Sequence, residues 1–142
     1  MLITPPAFQH SMAVRVYFED TDAGGIVFYA NYLKFMERGR TEWLRAAGVN
    51  QSDVANMFQR VFVVTCLDIR YKKPAKLDDL LEIHSAVTRM GHASLHFAQK
   101  VLRSDELLVE STIQIGCVNT VNMRPAPIPE SVRNKFAVII QE

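Results

Sequence analysis

The chain has 142 residues, 49% of them hydrophobic, and a formal net charge of +1. That is enough for one domain with a substantial core. The even charge balance excludes global attraction to nucleic acid or to an anionic membrane.

Residues 1–11, with Thr4-Pro5-Pro6, read as a loose leader. They lack the basic start and apolar run of a signal peptide, and no apolar run approaches the length of a transmembrane helix. A cytoplasmic protein is expected. Residues 14–18 alternate and are rich in strand formers. From about 30 to 47 the apolar residues Tyr32, Leu33, Phe35, Met36, Trp43, Leu44 and Ala47 recur at helical spacing, with Gly48 where a C-cap belongs. Gly39, mid-helix, costs roughly 1 kcal/mol relative to Ala, which close approach of a sheet would offset. Ser52 is the expected cap of a short second helix reaching residue 56. Strands are expected at 61–71, 80–90, 93–102 and 107–119, the last with Leu107, Val109, Ile113, Ile115 and Cys117 on one face. Pro125, Pro127 and Pro129 form a linker before a short C-terminal helix. Short turns between strands imply antiparallel neighbours, so the expected class is α+β, one long helix against an antiparallel sheet. Cys66 and Cys117 both fall in strand-like runs, with no CxxC and no His/Cys cluster, so buried free thiols are expected rather than a disulfide or zinc site.

The connection from Asp20 to Tyr32 carries the chemistry. It holds Asp20, Asp22, Gly24 and Gly25 just before the long helix. A helix start has backbone N–H groups with no partner inside the helix, and these favour negative charge. A carboxylate beside such donors has the two parts of a hydrolytic site, a base or nucleophile and an oxyanion hole. From residue types alone, turn formation is the commoner role for Asp beside Gly. The glycines permit positive φ or a close backbone approach, in which a thioester would pack against Gly25, Ile26 and Val27.

The run from Val14 to Val27, followed by Asn31-Tyr32 and Glu37-Arg38-Gly39-Arg40, resembles the hotdog-fold thioesterases of the 4-hydroxybenzoyl-CoA thioesterase-like group. It is most similar to the Tol–Pal-associated, YbgC-type acyl-CoA thioesterases. Tyr71-Lys72-Lys73-Pro74-Ala75-Lys76-Leu77-Asp78-Asp79 and Met123-Arg124-Pro125 fit the same group, so the likeness covers residues 13–130. It implies a single domain with the sheet wrapped around the helix, hydrolysis of acyl-CoA to free acid and CoA, and no metal or redox cofactor. It also implies a homodimer, often paired into a homotetramer, with the thioester at the dimer interface. It assigns Asp22 as the catalytic carboxylate and the backbone N–H of Tyr29 as the oxyanion donor, and leaves Asp20 to tie the loop. At position 29 the YbgC-type enzymes commonly carry His and the 4-hydroxybenzoyl-CoA enzymes Tyr, which bears on substrate rather than reaction.

Asp22 could attack the thioester or activate water. Tyr29 and Tyr32 are candidates to line an acyl pocket, although aromatics at a helix start are more often core. Lys72 and Lys73, with Lys76, are candidates for the phosphates of CoA, and Arg89, His92 and Ser94 around Gly91 form a second candidate cluster. Glu37–Arg40 and Arg38–Glu42 read as ordinary helix-surface pairs. His10, His84 and His96 are isolated. Two rivals share the fold. A hydratase would need a proton-shuttling His between Asp20 and Tyr32, and none is there. A non-catalytic module binding an acyl thioester or an acyl carrier protein would have no need of Asp22.

Overall fold

The computed structural model describes residues 8–141. Its elements run β1 (His10–Arg15), a 3-10 turn (Phe18–Asp20), α1 (Asn31–Ala46), α2 (Gln51–Phe58), β2 (Arg60–Tyr71), β3 (Leu80–Met90), β4 (Ser94–Arg103), β5 (Glu106–Asn119) and α3 (Glu130–Gln141). The five strands form one antiparallel sheet in the order β1-β3-β4-β5-β2, which leaves β2 as an edge. Among the described residues no helix is long and apolar enough to cross a membrane.

The helix α1 lies on the inner face of the sheet because one stripe of it is apolar. Phe35, Met36, Trp43 and Leu44 are buried, while Lys34, Arg38 and Arg45 stay exposed. Leu81 and Ile83 of β3, Leu95 and Phe97 of β4, and Ile113 of β5 meet that stripe. Phe136 of α3 closes the core against Trp43, with ring centroids 5.4 Å apart.

The glycine in the middle of α1 marks the closest approach. A Cβ added at Gly39 would lie 2.7 Å from Ile83 Cγ2, 3.0 Å from Gln99 Nε2 and 3.1 Å from Ser85 Oγ. Two of these three atoms belong to polar side chains that are fully buried. Both are satisfied there: the amide nitrogen of Gln99 donates to the Met36 carbonyl and to Ser85 Oγ, each at 2.9 Å.

Several expectations need correction. The first strand is His10–Arg15, not residues 14–18, and residues 10–11 of the expected leader belong to it. Tyr17 and Phe18 leave the sheet because Asp20 draws the chain into a turn, its Oδ2 accepting from the Tyr17 N–H at 2.8 Å. The rest of that leader, residues 1–7, lies outside the described residues. The cap of α2 is Asn50 rather than Ser52, its side chain accepting from the Ser52 N–H at 2.8 Å. In β5 the register shifts opposite Val101/Leu102, so Leu108 is buried where Leu107 was expected. Cys117 is buried but Cys66 is exposed, because it sits on the edge strand beside the bulge between Val64 and Cys66.

Gly39→Ala improves helix propensity by about 1 kcal/mol but overpacks the contact, which typically costs 1–3 kcal/mol. The expected outcome is a lower thermal midpoint, checked by calorimetry; an unchanged or raised midpoint would mean that the helix lifts freely from the sheet.

Candidate active site

The loop before α1 is built by Asp20. Besides its side-chain contact with Tyr17, its carbonyl accepts from the Phe28 N–H at 3.1 Å and from Asn31 Nδ2 at 2.8 Å. One residue thus ties the end of the 3-10 turn to the first residue of the helix. Asp22 sits at the tip of a tight turn. Its N–H donates to the Ile26 carbonyl at 2.9 Å, and its own carbonyl accepts from the Gly25 N–H at 3.0 Å. Its Oδ1 accepts from the Gly24 N–H at 2.8 Å. Gly25 takes φ +79°, which a side chain would resist. The carboxylate is exposed, and its second oxygen has no partner among the described residues.

From this turn the chain pairs with residues 75–77. Ile26 bridges to Lys76, the Val27 N–H donates to the Ala75 carbonyl at 2.9 Å, and the Gly25 carbonyl accepts from the Leu77 N–H at 3.4 Å. Tyr32 supports the same segment from inside, its hydroxyl oxygen accepting from the Ala75 N–H at 3.0 Å. Burial raises its pKa, with the Ala75 contact acting the other way, so the phenol stays neutral.

The loop and the segment after β2 enclose an open hollow of about 340 Å³, lined by Ile26, Val27, Tyr29, Tyr32, Tyr71, Lys72, Lys73 and Pro74. Tyr29 is 64% exposed. Its carbonyl accepts from the Tyr71 hydroxyl at 3.1 Å, while its N–H donates to no acceptor among the described residues. Burial, followed by the neighbouring Tyr29, raises the pKa of Tyr71, which keeps that proton in place. The N–H of Tyr29, two residues before α1, is thus left unpaired while its carbonyl is held by Tyr71.

Six of the predicted residues meet at this hollow: Ile26, Val27, Tyr29, Tyr32, Lys72 and Lys73. Gly25 lies in the adjoining turn and does not line the hollow. Asp22 does not line it within one subunit. Tyr32 is buried and works mainly as a support. Both lysines are paired, Lys73 with Glu106 at 2.7 Å and Lys72 with Glu110 at 3.5 Å. Arg89, His92 and Ser94 are elsewhere. The register aligns Ser94 with Gly116 and Val63, and Tyr71 with Val109 and Val101. The two ends are eight residues of β2 apart, about 26 Å. Glu37 and Arg40 do not pair: Glu37 accepts from the Thr41 hydroxyl at 3.0 Å, and Arg40 donates to Gln99 Oε1 at 3.1 Å. Glu42 pairs with Arg45 rather than Arg38. Asn31 and Tyr71 belong to the segments that carry the resemblance, but their roles here come from tertiary contacts. Among the described residues no group of three or more His, Cys, Asp or Glu is placed to hold a metal ion.

The lining segment is clamped to the sheet by Arg103. Its guanidinium donates to Asp79 Oδ2 at 2.7 Å and to Glu106 Oε1 at 2.6 Å. Lys73, then Arg103, hold the Glu106 carboxyl down at about 2. Burial would raise the pKa of Asp79, but hydrogen bonds from Arg103 and the Lys76 N–H outweigh it and lower it. A lowered carboxylate pKa contributes stability that is present above the unfolded value and lost as pH falls through the folded one. The thermal midpoint of Arg103→Met should therefore fall short of wild type by a constant gap above about pH 5, and the gap should close between about pH 4 and 2. A gap that persists unchanged at the acid end would assign the loss to packing instead.

The sequence matches the thioesterase superfamily over residues 24–110. It is 42% identical over 126 residues to the acyl-CoA thioesterase YbgC of Haemophilus influenzae, covering 89% of this chain and 93% of that one. It is 44% identical over 125 residues to the acyl-CoA thioester hydrolase YbgC of Escherichia coli O6:H1, covering 87% and 92%. The crystal structure of a probable thioesterase from Bartonella henselae superposes with a TM-score of 0.82 at 36% identity, covering 87% of this chain and all of that one. With the helix start, its hollow and these likenesses together, the chain belongs to the thioesterase superfamily, has the hotdog fold, and is a thioester hydrolase.

Proposed function

We propose that the protein is an acyl-CoA thioesterase that hydrolyses the thioester at the start of α1. The observation that carries this is the unpaired N–H of Tyr29, a residue that lines a largely apolar hollow together with Lys72 and Lys73. The thioester oxygen sits at that N–H, where developing negative charge is also favoured by the helix dipole. Asp22 supplies the carboxylate, attacking the carbonyl carbon or taking a proton from the attacking water. The C–S bond breaks, CoA leaves as the thiol, and water's oxygen is retained in the acid or in the regenerated carboxylate. Lys72 and Lys73 bind phosphate groups of CoA by exchanging their present carboxylate partners. No metal or redox group is required for this chemistry. An acyl carrier protein is a second candidate donor of the acyl group. The compartment is the cytoplasm, in keeping with the exposed thiol of Cys66.

The active unit on this reading is a homodimer joined along β2. This strand of 12 residues pairs on one side only and exposes Val64, Leu67 and Tyr71. Such an edge is a template for a second strand. A two-fold axis near Leu67 would bring the far end of one subunit's sheet beside the other's helix start. Arg89, His92 and Ser94 could then approach CoA only from the partner subunit. A tetramer would pair two such dimers.

Release of free CoA from a panel of acyl-CoAs tests the chemistry. Asp22→Ala should lower kcat at least 100-fold, about the share of a general base or nucleophile, with a thermal midpoint close to wild type because the lost contact to Gly24 is exposed. Near-normal turnover of every active substrate would remove Asp22 from the mechanism. Failure of wild type across acyl-CoA and acyl-carrier-protein panels, with binding intact, would favour the non-catalytic module. For the assembly, Leu67→Lys should shift the mass measured by light scattering from dimer to monomer; a variant that stays dimeric would place the interface elsewhere.

A further inference from the structure

The start of α1 is uncapped. Its N-cap is Ala30, which has no side chain to accept a hydrogen bond, and its first turn holds no acidic residue. The N–H groups of Tyr29 and Ala30 both donate to no acceptor among the described residues. They belong to successive peptide groups, and each group is held from its carbonyl side. The Phe28 carbonyl, which shares a peptide group with the Tyr29 N–H, accepts from the Asn31 N–H at 2.8 Å. The Tyr29 carbonyl, which shares one with the Ala30 N–H, accepts from the Tyr71 hydroxyl at 3.1 Å. No peptide bond among the described residues is cis. The N–H of each group therefore points away from the carbonyl that is held.

The two holds differ in origin. The first is main chain to main chain within one turn. The second comes from a side chain of the sheet. Tyr71 ends β2 opposite Val109, a fully buried residue of β5. The next two N–H groups, of Lys72 and Lys73, both donate to the Leu108 carbonyl, at 2.8 and 3.1 Å. The Tyr71 ring packs edge-on against Tyr29, with centroids 6.3 Å apart, and against Tyr32 at 5.6 Å. The hydroxyl is thus delivered to the loop from a rigid element, which fixes its position better than a loop contact would. Donation to the carbonyl also polarises the peptide group, so the N–H at its other end becomes a stronger donor. Such an N–H favours most an acceptor on which negative charge develops.

We infer that Tyr71 is a positioning residue for the hydrolysis: its hydroxyl holds and polarises the peptide group between Tyr29 and Ala30, so that the Ala30 N–H joins the Tyr29 N–H as a second donor to the thioester oxygen. Tyr71 itself touches no reacting atom. This role rests on the reading of the Tyr29 N–H as an oxyanion donor, and adds to it a second donor and the side chain that sets it. As part of an apolar wall, position 71 would need only the ring. The hydroxyl is what separates the two roles, so Phe is the informative replacement.

Tyr71→Phe keeps the ring against Tyr29 and Tyr32 and removes only the hydroxyl. On the acyl-CoA turned over fastest in the panel, kcat should fall about tenfold, less than the loss of a whole oxyanion donor brings, with KM nearly unchanged. A second arm uses the ketone analogue of that acyl-CoA, in which a methylene replaces the thioester sulfur and the carbonyl carbon is carbon-13. It cannot be hydrolysed, and difference infrared spectroscopy reads its carbonyl stretch when bound. The band should lie below that of the free ketone. Tyr71→Phe should return it part of the way, and Tyr71→3-fluorotyrosine, whose hydroxyl is a stronger donor, should lower it further. The thermal midpoint shows whether Tyr71→Phe is folded; if it is not, the fluorotyrosine arm, which keeps the hydroxyl, decides. An unchanged kcat, or a band unmoved by both replacements, overturns the inference, and a kcat loss with an unmoved band assigns Tyr71 to packing. A band that is not lowered in wild type removes the oxyanion reading of Tyr29, and the role of Tyr71 with it; a band lowered equally in wild type and both variants leaves Tyr29 in place and removes Tyr71 alone.

Discussion

The contact between the backbone of α1 and the sheet at Gly39 sets the position of everything else. The sheet can come this close only because position 39 has no side chain, and because the residues beneath it, Ser85 and Gln99, are polar groups that bond to the helix and to each other. The seat has two consequences along one helix. Toward its start, it fixes the height of Tyr29 and Tyr32 above the segment after β2. Just past its middle, Gln99 uses the oxygen left over from gripping the helix to hold Arg40. The same buried amide that locates the helix therefore orients the Arg40 charge. Replacing Gln99 by an apolar residue would disturb both at once.

The hollow beside Tyr29 depends on a different balance. Its floor, residues 72–79, is a loop with no sheet ladder of its own, and loops of this kind stay ordered only when their polar groups are satisfied. Ala75 is the fastening point, donating to Tyr32 and accepting from Val27. Arg103, Asp79, Glu106 and Lys73 add a network of partly exposed ion pairs on the outside. Individually such pairs contribute little, but a network sharing Arg103 and Glu106 resists loosening more than isolated pairs do. On the proposed reading, CoA phosphates compete with Glu106 and Glu110 for the two lysines. Binding then loosens the outer network while the inner fastening at Ala75 keeps the hollow's shape.

Much of this was legible in the sequence. The period of the apolar residues placed α1 to within a residue at each end, and Gly39 marked a close approach of the sheet. The turn chemistry of Asp20 to Gly25 located the loop, with Gly25 in the positive-φ conformation its position suggested. What failed had tertiary causes. The first strand was misplaced because Tyr17 and Phe18 have strand propensity, whereas Asp20 folds them into a turn. Cys66 looked buried because its neighbours are apolar, but those neighbours lie on an edge strand, and strand order is not written in local pattern. Glu37 and Arg40 looked like a surface pair because helical spacing allows it; their real partners come from the helix itself and from a residue 59 positions away in the chain.

The exposed edge of β2 draws these points together. Within one subunit, Asp22 does not line the hollow that Tyr29 lines, and the hollow lined by Phe62 and Val64 lies at the opposite end of β2. A monomer would thus display the parts of a site spread along one strand, with the apolar side chains of Val64, Leu67 and Tyr71 in water between them. Burying such side chains is favourable by about 25 cal/mol for each Å² removed from water. Pairing two copies of the strand in antiparallel fashion adds main-chain hydrogen bonds to that gain and reverses the order of the parts on the second subunit. The start of one strand then meets the end of the other. On the proposed reading, assembly is a condition for the site rather than an addition to it, because the edge that would otherwise aggregate is the one whose pairing brings the far end of one sheet beside the helix start of the other.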